Sequence, residues 1–149
     1  MRTRIEFLED PTTGDQPVLA LIRQIGTDGQ QDADLLQMYQ LIIRGLDFLR
    51  RHGLQDAFKE YFRTHLEDGR PYTILLVKQL NDHVPLLEFR INWQGTGAFR
   101  AVFFEHMDGE DQILYFVQAV VKQKTFDLQF ETIVAQAEQA YKGFLTRKE

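Results

Sequence analysis

Hydrophobic and polar positions alternate in two short runs around the turn-forming sequence "WQGTG". The first run ends at Trp93 and the second begins near Ala98. Alternation on both sides of a glycine-containing turn predicts an antiparallel β-hairpin. If Asn92 pairs with Ala98, Arg90 lies directly opposite Arg100. Like charges opposed in this way destabilise an antiparallel pair, so the register raises the question of how a sheet keeps them there.

Apolar residues at helical spacing predict three helices in the first half of the chain. Pro17 suits the first turn of the first helix, and Gly53 suits the end of the second. Asp32 or Asp34 is the expected N-cap of the second helix. The predicted helices cover residues 17–25, 32–52 and 54–66.

Strand-like runs dominate the second half of the chain and also open the first. Beyond the hairpin they are residues 4–9, "YTILLVKQL" and "QILYFVQAVVKQK", of which the last is apolar on both faces like a central strand. Residues 128–144 form an amphipathic closing helix. This order predicts an α+β fold: an antiparallel sheet of about four to five strands with N-terminal helices and a C-terminal helix packed on it. A single domain over residues 1–149 is expected.

Composition limits the classes of function. The chain has 149 residues, a net charge of −5 and no cysteine, which predicts a cytoplasmic protein without disulfides or thiol chemistry. No apolar run suits a membrane span or a signal peptide, so no membrane partner is expected. The acidic balance offers no overall attraction to phosphates, so nucleic-acid binding needs a local basic patch.

The proposed hairpin register supplies such a patch. One face is wholly apolar, whereas the other carries Glu88 with the two arginines, and Lys122 and Lys124 share a parity that continues this face. A guanidinium group matches phosphate oxygens and stabilises the charge of a pentacoordinate phosphorus. The alternative is that Glu88 pairs with Arg100 and the arginines form a solvated face.

The remaining chemically active residues give weaker signals. His52, His65, His83 and His106 lack metal-ligand spacing, so we expect no metal or other cofactor. His106 could approach the sheet surface as an acid. Trp93 could stack on an RNA base or close the edge of the core.

Several short segments together resemble a known family. They are "IEFLEDPTTGDQPVLALI", then "VKQL" ahead of "PLLEFRI", then "GAFRAVFFEHMDGEDQILYFVQAVVKQK" with a closing helix. Their order is similar to that of the RelE/HigB-type toxins of toxin–antitoxin systems, with the phage-derived HigB-like branch closest in layout. The resemblance covers nearly the whole chain, although no single motif is diagnostic.

The resemblance implies a metal-free endoribonuclease that cuts mRNA at the ribosome and is inhibited by a cognate antitoxin, often a helix-turn-helix protein. By position it implies that cationic residues orient RNA and stabilise attack by a ribose 2′-hydroxyl. The candidate catalytic residues are Arg90, Arg100 and Lys122, and the candidate RNA-binding residues are Lys78, Lys124 and Trp93.

The chain departs from the family pattern at two positions. Gln123 replaces the second lysine of a "KK" pair, and Phe99 replaces a tyrosine. Beyond Lys124, no His or Tyr lies near the end of the last strand to act as a general acid or base, and Tyr141, well inside the final helix, is expected in the core. These departures leave open a catalytically weak relative that engages a protein partner, such as gyrase in the manner of the ParE branch, or a phage-derived protein of unknown role.

Overall fold

A computed structural model describes residues 1–93, 97–122 and 128–148, without the side chain of Lys148. The described part contains seven strands, four helices and a short 3-10 turn at Asn81–His83. In chain order the elements are β1 (Arg2–Phe7), α1 (Pro17–Asp28), α2 (Ala33–His52), α3 (Leu54–Lys59), β2 (Phe62–His65), β3 (Pro71–Ile74), β4 (Val77–Gln79), β5 (Leu87–Trp93), β6 (Gly97–Asp108), β7 (Asp111–Lys122) and α4 (Leu128–Lys148).

Five strands form one mixed sheet in the order β1-β7-β6-β5-β4. The fold is therefore α+β, as predicted. The expectation of a wholly antiparallel sheet is wrong, because β1 runs parallel to β7. A parallel pair needs a long crossover, and here most of the chain lies between its two strands.

The predicted register of the β5–β6 hairpin is confirmed. Asn92 pairs with Ala98 and Arg90 pairs with Arg100. A β-bulge interrupts the β6–β7 ladder beside Val102 and adds one residue to β7. Because of this bulge, Lys122 opposes Ala98 and lies on the same face as both arginines, as the parity argument required.

The predictions for residues 54–80 are partly wrong. Helix α3 ends at Lys59, and the following residues form the β2–β3 hairpin, which is a separate two-stranded sheet. The segment "YTILLVKQL" is divided between β3 and β4 rather than forming one strand. The reason is burial: Phe62 and Ile74 pair across the hairpin and point into the core, whereas Phe58 and Tyr61 of the predicted helical face stay exposed.

Two cores lie on opposite faces of the main sheet. Helices α1 and α2 cover the larger core, in which Phe103 stacks on Phe116 with ring centroids 4.6 Å apart. Helix α4 covers the smaller core around Val102 and Phe104. The sequence signals at the ends of α2 are confirmed, since Asp32 accepts hydrogen bonds from two first-turn amides and Gly53 has a φ of 84°.

None of the helices in the described part of the chain is both long and apolar enough to cross a lipid bilayer. The outer side of α2 carries exposed polar residues, as expected for a helix that packs its other side against a sheet.

A buried glutamine joins distant parts of the fold. Gln112 on β7 is 1% exposed, and its Oε1 accepts hydrogen bonds from Thr3 Oγ1 at 3.0 Å and from the Leu54 amide at 3.1 Å. Its amide nitrogen donates to Glu105. This side chain satisfies the first amide of α3, which no helical carbonyl can reach.

We expect Gln112→Leu to lower the free energy of unfolding by about 1–3 kcal/mol, because it leaves the buried Leu54 amide without an acceptor. Urea denaturation followed by circular dichroism measures the change. Gln55→Leu, at an exposed position of α3, is the matched control and should have little effect. Equal stability of the Gln112→Leu variant and the wild type would show that this network does not stabilise the fold.

Candidate functional site

The candidate site is the part of the sheet surface on the α4 side that carries Lys78, Glu88, Arg90, Arg100 and Lys122; we call it the arginine face. Strand pairing assembles it, because Lys78 opposes Glu88 and Arg90 opposes Arg100. The cationic residues come from four successive strands. Adjacent strands are about 4.8 Å apart, so the side chains form a short track across the sheet.

Arg100 is held in place by three acceptors. Its Nε lies 3.2 Å from Glu88 Oε1, while its Nη2 donates to Asn92 Oδ1 at 2.8 Å and its Nη1 donates to the Phe99 carbonyl at 3.1 Å. The side chains of Arg100 and Glu88 are only 14% and 9% exposed. Burial lowers the pKa of Arg100, the Glu88 carboxylate opposes that shift, and Arg90 adds to it. Arg100 is therefore a fixed, partly buried charge.

Arg90 is held differently and is more accessible. Its Nε donates to the Leu75 carbonyl at 2.9 Å, and the residue is half-buried. Within the described part of the chain, its terminal nitrogens make no hydrogen bond or ion pair. The sheet tolerates the opposed arginines because Glu88 neutralises one and a backbone carbonyl orients the other.

The two lysines border this pair. Lys78 on edge strand β4 is exposed and forms no ion pair with any described residue. Lys122 is half-buried, and its Nζ lies 5.3 Å from the centre of the Phe130 ring on α4. That distance fits a cation–π contact, which orients the lysine without neutralising it.

Sequence reasoning missed two residues of the site, Tyr72 and Asn92. The Tyr72 hydroxyl donates to the Asn92 carbonyl at 2.9 Å and accepts from the Asn92 amide at 3.0 Å. It thereby continues the edge of β5 beyond the end of β4, and the Asn92 side chain in turn holds Arg100. Asn92 could have been found from its parity with Arg90, but no local pattern links Tyr72 to β5.

Burial raises the pKa of Tyr72, although its hydrogen bond with Asn92 and the charges of Arg100 and Arg90 counteract this. A hydroxyl with a raised pKa and both hydrogen-bonding roles occupied is suited to holding structure rather than to accepting a proton.

Of the other predicted residues, Trp93 and His106 lie away from the arginine face. Trp93 lies on the opposite face of β5 and packs against the larger core, as the alternative reading of that residue required. Lys124 and Gln123 lie outside the described residues. His106 packs against Phe144, six residues along β6 from Arg100, about 20 Å away at strand spacing. Among the described residues, no three His, Cys, Asp or Glu side chains are arranged to hold a metal ion.

The arginine face thus presents four cationic groups and one carboxylate, Glu88, from the described residues of β4 to β7. It can bind a phosphodiester and stabilise added negative charge on it. Comparisons of the chain with protein families, with curated proteins and with solved structures find no match.

The Glu88–Arg100 pair allows a direct test of its burial. We expect Glu88→Gln to lower the free energy of unfolding by about 3 kcal/mol, because it leaves a buried guanidinium without a counter-charge. Asp47→Asn removes the partner of two exposed arginines and serves as the control with little expected effect. If both variants unfold at the same urea concentration as the wild type, the pair is solvated in solution.

Tyr72 makes the free energy of unfolding depend on pH in the alkaline range. Its folded pKa is raised above the ordinary value of 10.0, so ionisation favours the unfolded chain and stability falls as the pH rises above about 10. We expect Tyr72→Phe to lower stability by about 1–2 kcal/mol at pH 7 and to weaken this alkaline dependence. Denaturation between pH 8 and 11 measures both effects, with Tyr61→Phe at an exposed site as the control. An unchanged pH profile in Tyr72→Phe would contradict the raised pKa.

Proposed function

We propose that the protein is a toxin of the RelE/HigB type, which binds RNA on the arginine face and cleaves it without a metal ion. The observation that carries the proposal is the pairing of Arg90 with Arg100 on one face, with Lys78 and Lys122 on the strands to either side. The motif order of the sequence, which is similar to that of these toxins, supports it independently.

Arg90 is the proposed ligand of the scissile phosphate. Its terminal nitrogens have no partner among the described residues, and its Nε is already oriented by the Leu75 carbonyl. A pre-oriented guanidinium can donate two parallel hydrogen bonds to phosphate oxygens. Arg100 supplies a second positive charge that is fixed in direction, while Lys78 and Lys122 contact neighbouring phosphates.

The proposed reaction is an internal transfer at phosphorus. The ribose 2′-oxygen forms a bond to the adjacent phosphorus, the bond from phosphorus to the 5′-oxygen breaks, and the products are a cyclic phosphate and a 5′-hydroxyl end. The 2′-hydroxyl proton passes to solvent, and the 5′-oxygen that leaves takes up a proton from solvent. The protein's part is to stabilise the charge of the pentacoordinate state, an effect of several kcal/mol for well-placed donors.

Cellular partners follow from the same proposal. They are mRNA on the ribosome as substrate and a cognate antitoxin, which covers the arginine face or displaces an element beside it. The net charge of −5 favours a local and salt-sensitive interaction with RNA over general attraction.

A second candidate function is favoured by the engagement of Arg100 with Glu88. A guanidinium that already has a buried carboxylate has less to offer a phosphate. In this reading the fold is a binding module that engages a protein partner, such as gyrase, and cuts no RNA.

We expect expression of the wild type to arrest growth and the purified protein to cut translating mRNA. Arg90→Ala should lower the cleavage rate by about 100-fold or more, the usual effect of removing one donor to a developing charge.

Lys122→Ala should reduce RNA affinity and lower the slope of log affinity against log salt by about one.

Arg23→Ala, at an exposed position on α1, is the matched control and should cleave like the wild type. Circular dichroism confirms that each variant is folded. Harmless expression together with intact mRNA would refute the nuclease proposal, and recovery of gyrase or another protein in a pull-down would then select the binding module.

A further inference from the structure

A cavity of about 360 Å³ lies beside α4, away from the arginine pair, and we call it the α4 cavity. The segment that follows β1, strand β7 and one side of α4 form its walls. The cavity lies on the β1 side of α4. Glu138 of the same helix instead contacts His83, which lies between β4 and β5. Helix α4 therefore separates this cavity from the β4–β5 side of the sheet.

One stripe of α4 lines the cavity. Gln136, Gln139, Ala140, Gly143 and Arg147 recur at the spacing that places residues on one side of a helix. The small residues Ala140 and Gly143 leave the space open. A Cβ atom at position 143 would lie 3.3 Å from Arg147 Nη1, so the guanidinium folds back along the helix to the cavity wall.

Four polar side chains of the cavity have no partner among the described residues. In the described part of the chain, the side chains of Gln118, Gln136, Gln139 and Arg147 make no hydrogen bond or ion pair. Asp10 is already used, because its Oδ1 accepts from the Thr12 amide at 2.8 Å. Three carboxamides and one guanidinium are thus available to a ligand, one from β7 and the others from α4.

The remaining walls are apolar and come from separate elements. Leu8 and Pro11 follow β1, Pro17 begins α1, and Val117 is part of the β-bulge of β7. Apolar walls with a few hydrogen-bonding groups at the rim are typical of small-molecule sites, and the volume lies at the lower end of their range. Such a site suits a flat ring whose edge carries donors and acceptors.

We propose that the α4 cavity binds a purine base. Glutamine forms paired hydrogen bonds with adenine N6 and N7, and arginine forms them with guanine O6 and N7. Both residue types are present here, and neither has a partner among the described residues. The lining has one guanidinium and two carboxylates, those of Glu9 and Asp10, so it lacks the cationic excess of a phosphate site. An acyl chain would leave the half-buried carboxamide of Gln118 without a hydrogen-bonding partner, which is unfavourable.

The purine can come from a free nucleoside or from an unstacked base of an RNA strand. Gln118 pairs with Val102, which pairs with Glu88, so the cavity and the arginine face share one row of the sheet. Base recognition in single-stranded RNA uses similar pockets, where the base edge is read by hydrogen bonds. The proposal does not depend on RNA cleavage.

The test is titration of the isotope-labelled protein with adenosine, guanosine, cytidine and uridine, followed through the glutamine side-chain amides by NMR. We expect a purine to bind at least tenfold more tightly than either pyrimidine and to shift the carboxamides of Gln118 and Gln139. Gln139→Leu removes one of these edges, and Ala140→Leu fills the space. Each should weaken purine binding at least tenfold, whereas Gln55→Leu should leave it unchanged.

Equal binding of purines and pyrimidines, no binding of either, or full affinity in both cavity variants would overturn the proposal. A purine-containing RNA tetranucleotide that competes with adenosine identifies RNA as a source, and adenosine binding without competition identifies a free nucleoside. The titration is repeated in Arg90→Ala, where purine binding should persist even if the arginine face has no nuclease activity.

Discussion

Arg90 and Arg100 face each other across β5 and β6, and the sheet keeps them there through two separate compensations. Glu88 neutralises Arg100 inside the sheet surface, while the Leu75 carbonyl orients Arg90 from the neighbouring segment. Both compensations require the register in which Asn92 pairs with Ala98, because a slip by one residue would turn each side chain to the opposite face. The charge of the face, the contact of α4 and the accessibility of Arg90 all depend on this register.

Helix α4 decides how the same sheet face is divided. Its apolar side covers Val102 and Phe104 and completes the smaller core. Its N-terminal turn contributes Phe130, whose ring lies beside Lys122. Its polar side lines the α4 cavity. One helix therefore separates a cationic surface from a pocket with polar edges, and the proposed roles of these two regions can be tested independently.

The electrostatics of the site are local. The chain carries a net charge of −5, so the attraction of the arginine face for the RNA backbone that we propose as its ligand would act over about one Debye length, roughly 8–10 Å at physiological salt. Within that distance, partial burial keeps the charges of Arg100 and Glu88 from being screened. The buried pair is also the feature that most separates the nuclease proposal from the binding-module proposal, since it both fixes one charge and neutralises it.

The sequence by itself determined the features that arise from short-range pattern: the β5–β6 register with its opposed arginines, the end of α2 at Gly53 with an N-cap at Asp32 or Asp34, and an amphipathic α4. Only the tertiary structure decided the parallel pairing of β1 with β7, the β2–β3 hairpin, the contact of Tyr72 with Asn92 and the opening of the α4 cavity. Alternation and capping act between neighbours along the chain and therefore leave a local signature. The β1–β7 pairing and the contact of Tyr72 with Asn92 join residues 20 to more than 100 positions apart. The β2–β3 hairpin joins closer residues, but burial of Phe62 and Ile74 in the complete fold decides it.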